Sequence, residues 1–160
     1  MKNSIKSNMY EQALEGTWEV FGDYLKGAWE GLLCVVSAVP LSQRATEALQ
    51  SSFAQLGYGK AACTFLALRG NSPAEGMPAL GEREAYAAIE GLDPLLLAIT
   101  DKEACEACSK AYRQAIPLDQ RSRVLGREVR AFSSFEALLD SPQGKQAAWG
   151  LLKSLPKFEA

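Results

Sequence analysis

The sequence predicts an α/β fold: a small, at least partly parallel sheet of about three to four strands, sandwiched by helices in a three-layer α/β/α arrangement and preceded by a long N-terminal amphipathic helix. Two runs, Ala61–Leu68 and Leu95–Ile99, are apolar at almost every position and bounded by turn residues, as strands buried on both faces are. Capped helical patterns separate them, the alternation that parallel strands with crossover helices require. The 160 residues suit one domain able to bury its own core, and 48% hydrophobic with 22% charged residues is a globular composition.

Residues 1–8 are polar and rich in Ser and Asn, an expected disordered N-terminus unlike a signal peptide. Over residues 9–39 the positions Leu14, Trp18, Phe21, Leu25, Ala28, Leu32, Val35 and Val39 alternate spacings of four and three. Such a heptad-like stripe predicts one long amphipathic helix ended by Pro40, despite glycines at 16, 22, 27 and 31. A second helix is predicted over 41–57, with Ser42 as N-cap and Ala45, Leu49, Phe53 and Leu56 inward. Residues 60–160 are then the sheet-containing core of a single domain.

Within that core, a loop rich in Gly, Pro, Asn and Ser follows the first strand, and a short helix over 82–92 turns Ala85, Tyr86 and Ile89 inward. Thr100 to Glu103 reads as a capping box for a helix reaching about Ala115. Arg121–Phe132 reads as a hairpin about Gly126, with glycine at the first central position of a type II′ turn. Ser133 with Glu136 forms another capping box, and Ser141-Pro142 opens the last helix, with Ala148, Trp149, Leu152 and Leu155 on one face. The layout resembles small three-layer α/β domains, among them the uracil-DNA-glycosylase-like group and accessory subunits of bacterial replicative polymerase; glycosylase-type catalytic motifs are missing, so the resemblance implies a layout and no residue role.

Histidine is absent. Its absence removes the commonest general base, the usual zinc ligand and every Ser-His or Cys-His nucleophile pair. Cys34, Cys63, Cys105 and Cys108 sit within apolar or helical patterns, which predicts buried thiols in a reducing cytoplasm. Cys105-Glu-Ala-Cys108 lies past the first turn of its helix, where the helix dipole does little to lower a thiol pKa, so no redox or metal role is assigned. Gly57-Tyr58-Gly59-Lys60 precedes a strand, whereas a phosphate loop follows one. No catalytic residue, metal or cofactor is therefore predicted, and the longest uncharged apolar run, Gly31–Pro40, is too short to span a bilayer.

Three surfaces remain. The first helix, through Trp18, Phe21, Leu25, Trp29 and Leu32, is the predicted interface for a protein partner or for self-association, which makes a non-enzymatic interaction or accessory protein the leading expectation. The alternative is a small-molecule or anion-binding domain, with Arg69, Asn71, Ser72, Thr100, Asp101 and Lys102 gathered at the carboxyl ends of the buried strands, where open parallel sheets bind ligands. Third, residues 110–160 hold nine basic and five acidic side chains against a chain net of −2. Arg121, Arg123, Arg127 and Arg130 there offer a surface for an anionic partner, Arg123 opposite Arg130 in the expected hairpin. The scarcity of interleaved aromatics argues against direct nucleic-acid binding and leaves only an accessory role in nucleic-acid processing.

Overall fold

Helix caps and tight turns divide the chain largely where the pattern predicts, with one large exception near the start. The computed structural model describes residues 5–158, with side chains from Ala13 onward. Helix α1 (Ile5–Phe21) is followed by strands β1 (Leu25–Gly27) and β2 (Leu33–Ser37), helix α2 (Gln43–Gln55), strand β3 (Cys63–Ala67) and helix α3 (Glu82–Leu92). Then come strand β4 (Leu96–Ile99), helix α4 (Lys102–Tyr112), strands β5 (Arg121–Val124) and β6 (Arg127–Ala131), and helices α5 (Phe135–Leu138) and α6 (Pro142–Lys153). The strands form one mixed sheet of six, in the order β1-β3-β2-β4-β6-β5. β3, β2, β4 and β6 run parallel, and β1 and β5 are antiparallel edges. The α/β class and the leading helix hold; the sheet is larger than expected.

The exception is the helix expected over residues 9–39. It stops at Phe21, and the rest of the stripe becomes a 3-10 turn, an edge strand and the central strand β2. Leu33–Ser37 is buried at all five positions, so every helical or strand period fits it equally well. The sheet therefore begins at Leu25 and not in the 60–160 region. The helix also starts at Ile5, inside the 1–8 segment expected to be disordered; residues 1–4 of that segment lie outside the described residues.

Side chains alternate along a strand, and the alternation sorts the core in two. Cys34 and Val36 of β2, with Leu97 and Ile99 of β4, join residues of α1, α3 and α4, including Leu14, Ile89 and Cys108. Leu33 and Val35, with Leu96 and Ala98, join residues of α2, α5 and α6, including Phe53, Phe135 and Leu152. Of four expected caps, two hold and two move by one residue. Ser42 and Ser141 accept from Ala45 N and Gly144 N as predicted, whereas Asp101 replaces Thr100 and Ser134 replaces Ser133. Glu136 reaches Ser42 instead of closing its own box. Tyr86, expected inward, is 41% exposed.

The hairpin forms with corrected geometry. Leu125 and Gly126 both have positive φ, 50° and 81°, so the turn is type I′ with glycine second. This register places Arg121 opposite Arg130 and Arg123 opposite Glu128. No described helix is long and apolar enough to cross a membrane.

Candidate functional site

The parallel strand order reverses direction at β2, whose neighbours β3 and β4 both follow it in the chain. In open α/β sheets the crevice at such a reversal, beyond the carboxyl ends, is the usual ligand site. Here it is bridged. The Asp101 carboxylate accepts from Ala38 N at 3.1 Å and Ala104 N at 2.8 Å, and from the Thr100 hydroxyl at 3.2 Å. Thr100 is buried, and its single hydroxyl hydrogen is shared between Asp101 and Val36 O. Arg69 pairs with Glu103 at 2.7 Å, both side chains half exposed. Lys102 and Ser72 are exposed. Of the six residues predicted for this site, then, Thr100 and Asp101 are joined, Arg69 reaches the first turn of α4, and Asn71 turns elsewhere.

Asn71 lines a cavity of about 420 Å³ one strand further along, between α2 and the carboxyl ends of β2 and β3. Its floor is Ser37, Phe65 and Ala67; Ser37 pairs with Ala67 in the ladder, and alternation turns both toward α2. One flank of α2, Gln43, Thr46 and Gln50, forms a wall, and Pro40 with Leu41 forms the rim. Those helix positions fall at i, i+3 and i+7, beside the buried Ala45, Leu49 and Phe53. The other wall is β1, where Lys26 stands directly opposite Phe65 and so shares its face.

Hydrogen bonding separates the framework groups from those left open. Asn71 Nδ2 donates to Leu25 O at 2.9 Å, and its amide donates to Asp23 O, which pins the start of β1. Gln50 accepts from Cys63 N, and Gln43 donates to Glu47. Lys26, Thr46 and Ser37 make no side-chain hydrogen bond or ion pair with the described residues. Ser37 is only 4% exposed. No fully enclosed polar side-chain atom among the described residues lacks a partner, so the Ser37 hydroxyl opens to the cavity it lines. Sequence reading missed Lys26, Ser37 and Thr46. A legible signal was a polar Gln43–Thr46–Gln50 flank beside an apolar one, set against a lone serine ending an apolar run.

The residues predicted for the other two surfaces are dispersed. Phe21 and Leu25 are buried in the core shared by α1 and α3, and Leu32 is half-buried in a loop. Trp18 and Trp29, both expected on the first helix, stack at 5.4 Å across the turn that ends it, and the Trp18 indole donates to Trp29 O. Arg130 is fully buried, bonded to Glu128, Ser154 and Val129 O. Arg127, with a 10% exposed side chain, bonds Glu90, Asp93 and Pro94 O. These two arginines are structural, because a buried guanidinium must spend its donors on internal partners. Arg121 and Arg123 remain on the surface, the latter paired with Glu128.

Burial pushes the Cys34 and Cys63 thiols up to about 12, and raises Cys105 and Cys108 as well. Among the described residues no group of three or more Cys, Asp or Glu could hold a metal ion. Fold and cavity together define an α/β domain with a partly open, mostly apolar pocket at its carboxyl strand ends. No protein-family model matches the chain, and no curated protein matches it in sequence.

Proposed function

We propose that this chain is a small-molecule-binding α/β domain, with helices layered on both faces of its sheet and its ligand seated against Ser37, Thr46 and Phe65. The observation that carries this reading is the unpartnered hydroxyl of Ser37, an otherwise buried residue, opening into a 420 Å³ cavity. Apolar walls with a few convergent polar groups are what small ligands select, and this volume lies within their usual range. The four free, buried thiols suit a reducing compartment such as the cytoplasm. An amide-resolved NMR screen of small aromatic fragments tests the reading. Shifts should centre on Ser37, Thr46, Phe65 and Asn71 and vanish in Thr46→Trp, which fills the cavity from a half-buried helix flank. Shifts confined to other surfaces, or none at all, overturn it.

Association with a protein partner, or with a second copy, is a second reading. It is favoured by Val20 of α1, 71% exposed, and Trp29, 47% exposed. Light scattering on the parent and on Val20→Glu tests it: a dimer that dissociates in the variant supports it, and a monomeric parent that captures no partner removes it.

A further inference from the structure

We infer that the ligand of this cavity is a small organic anion, a carboxylate or phosphate on a flat apolar body, and this inference rests on the small-molecule reading above. Lys26 is the one charged side chain lining the cavity among the described residues. Its ammonium has no carboxylate partner among the described residues, so its charge is open to a ligand in the cavity it lines. A single unpaired cation beside an apolar floor is the electrostatic complement of an amphiphilic anion. Phe65 lies directly opposite Lys26 and offers its ring to the body of the ligand. Ser37, two strands across from Lys26 and two residues further along, stands roughly 12 Å away at the backbone by strand geometry, and supplies a neutral hydrogen bond at the far end.

The other open polar groups agree with this division. Thr46 and Ser37 are hydroxyls that donate or accept as required. Among the described residues the lining holds no carboxylate that would repel an anion at close range.

Four probes of one size separate the possibilities: benzoate, phenyl phosphate, benzamide and benzylamine, titrated against the full chain by NMR at low salt. Both anions should bind about three- to tenfold more tightly than benzamide, with benzylamine weakest. Lys26→Met, a change on an exposed edge-strand side chain, should erase that preference while benzamide binding persists. Benzoate favoured over phenyl phosphate assigns the carboxylate, and the reverse assigns the phosphate. If benzamide or benzylamine binds the cavity as well as the anions do, or if Lys26→Met leaves the preference intact, the anion assignment fails while the small-molecule reading stands. If no probe perturbs the cavity, both fall.

Discussion

Asp101 holds Ala38 across the reversal point of the sheet: its Oδ2 accepts the Ala38 amide at 3.1 Å while Oδ1 caps α4 through Ala104 N at 2.8 Å. One carboxylate thus joins the end of β2 to the start of α4, and its Thr100 contact completes the set. The crevice that would hold a ligand in many open sheets is closed by the protein's own side chain. Asp101→Ala removes a cap and leaves a part-buried amide unsatisfied, for a loss of about 2–3 kcal/mol. Asp101→Asn keeps one acceptor and should lose less. Urea unfolding of the two variants measures both, and an Asp101→Ala variant as stable as the parent would contradict the role.

The thiols carry a second expectation. Desolvation raises all four, with Cys34 and Cys63 pushed up to about 12, so almost no thiolate exists near neutrality. Labelling by a thiol-specific disulfide reagent at about pH 8 should therefore be slow in the native protein and limited by opening of the fold. All four sites should react at once in denaturant. Rapid native modification of Cys105 or Cys108 would instead indicate an accessible reactive pair.

Much of this architecture was legible because each successful segment carried its own punctuation. Ser42, Ser141, Gly126 and the turns around Ala61–Leu68 mark boundaries by local chemistry. Gly31 and Pro40 bracket Leu33–Ser37 in the same way, and Val35 and Val36 are β-branched. The stripe from Leu14 to Val39 nevertheless extended the first helix through that strand, since a run apolar at every position satisfies any period laid over it. Losing β2 hid the reversal point and the cavity together. The burial of Arg127 and Arg130 was not legible at all. It depends on Glu90 of α3 and Ser154 at the end of α6, partners that only the tertiary fold brings together.

Acid sensitivity should follow from two carboxylates. Burial pushes Glu128 up, but hydrogen bonds and charge from Arg130 and Arg123 outweigh it and hold the group below the usual carboxylate range. Glu90 is lowered in the same way, with Arg127 and the Tyr112 hydroxyl overcoming burial. Groups lowered in the folded state bind protons more readily when unfolded. Their stabilisation is thus complete above the unfolded value, about 4.3, and drains as pH falls through the folded ones. Glu128→Gln and Glu90→Gln should be less stable than the parent near neutrality and change less between about pH 6 and pH 3. Thermal unfolding across that range reads the slope directly; variants with the parent's acid slope would remove these pairs as its cause.

Gly27 ties the edge strand to the rest. Its φ is +97°, and a Cβ there would run into Cys63 O and crowd the Phe65 ring. Both costs point the same way: the left-handed backbone strains any L side chain, and the carbonyl of β3 is backbone that cannot step aside. Gly27→Ala should therefore destabilise by about 1–3 kcal/mol. The damage should be uneven. β1 pairs with the sheet through three residues only, Leu25, Lys26 and Gly27, whereas β2, β3 and β4 support one another. Amide exchange should thus rise first at Leu25–Ala28 and Thr64, with the central strands still protected. Lys26 would then lose its fixed place beside Phe65, so a cavity that reads charge through Lys26 should lose its preference for anions while keeping its affinity for neutral aromatics. A Gly27→Ala protein as stable as the parent, with β1 equally protected, would show that the close approach to Cys63 O is not what fixes this edge.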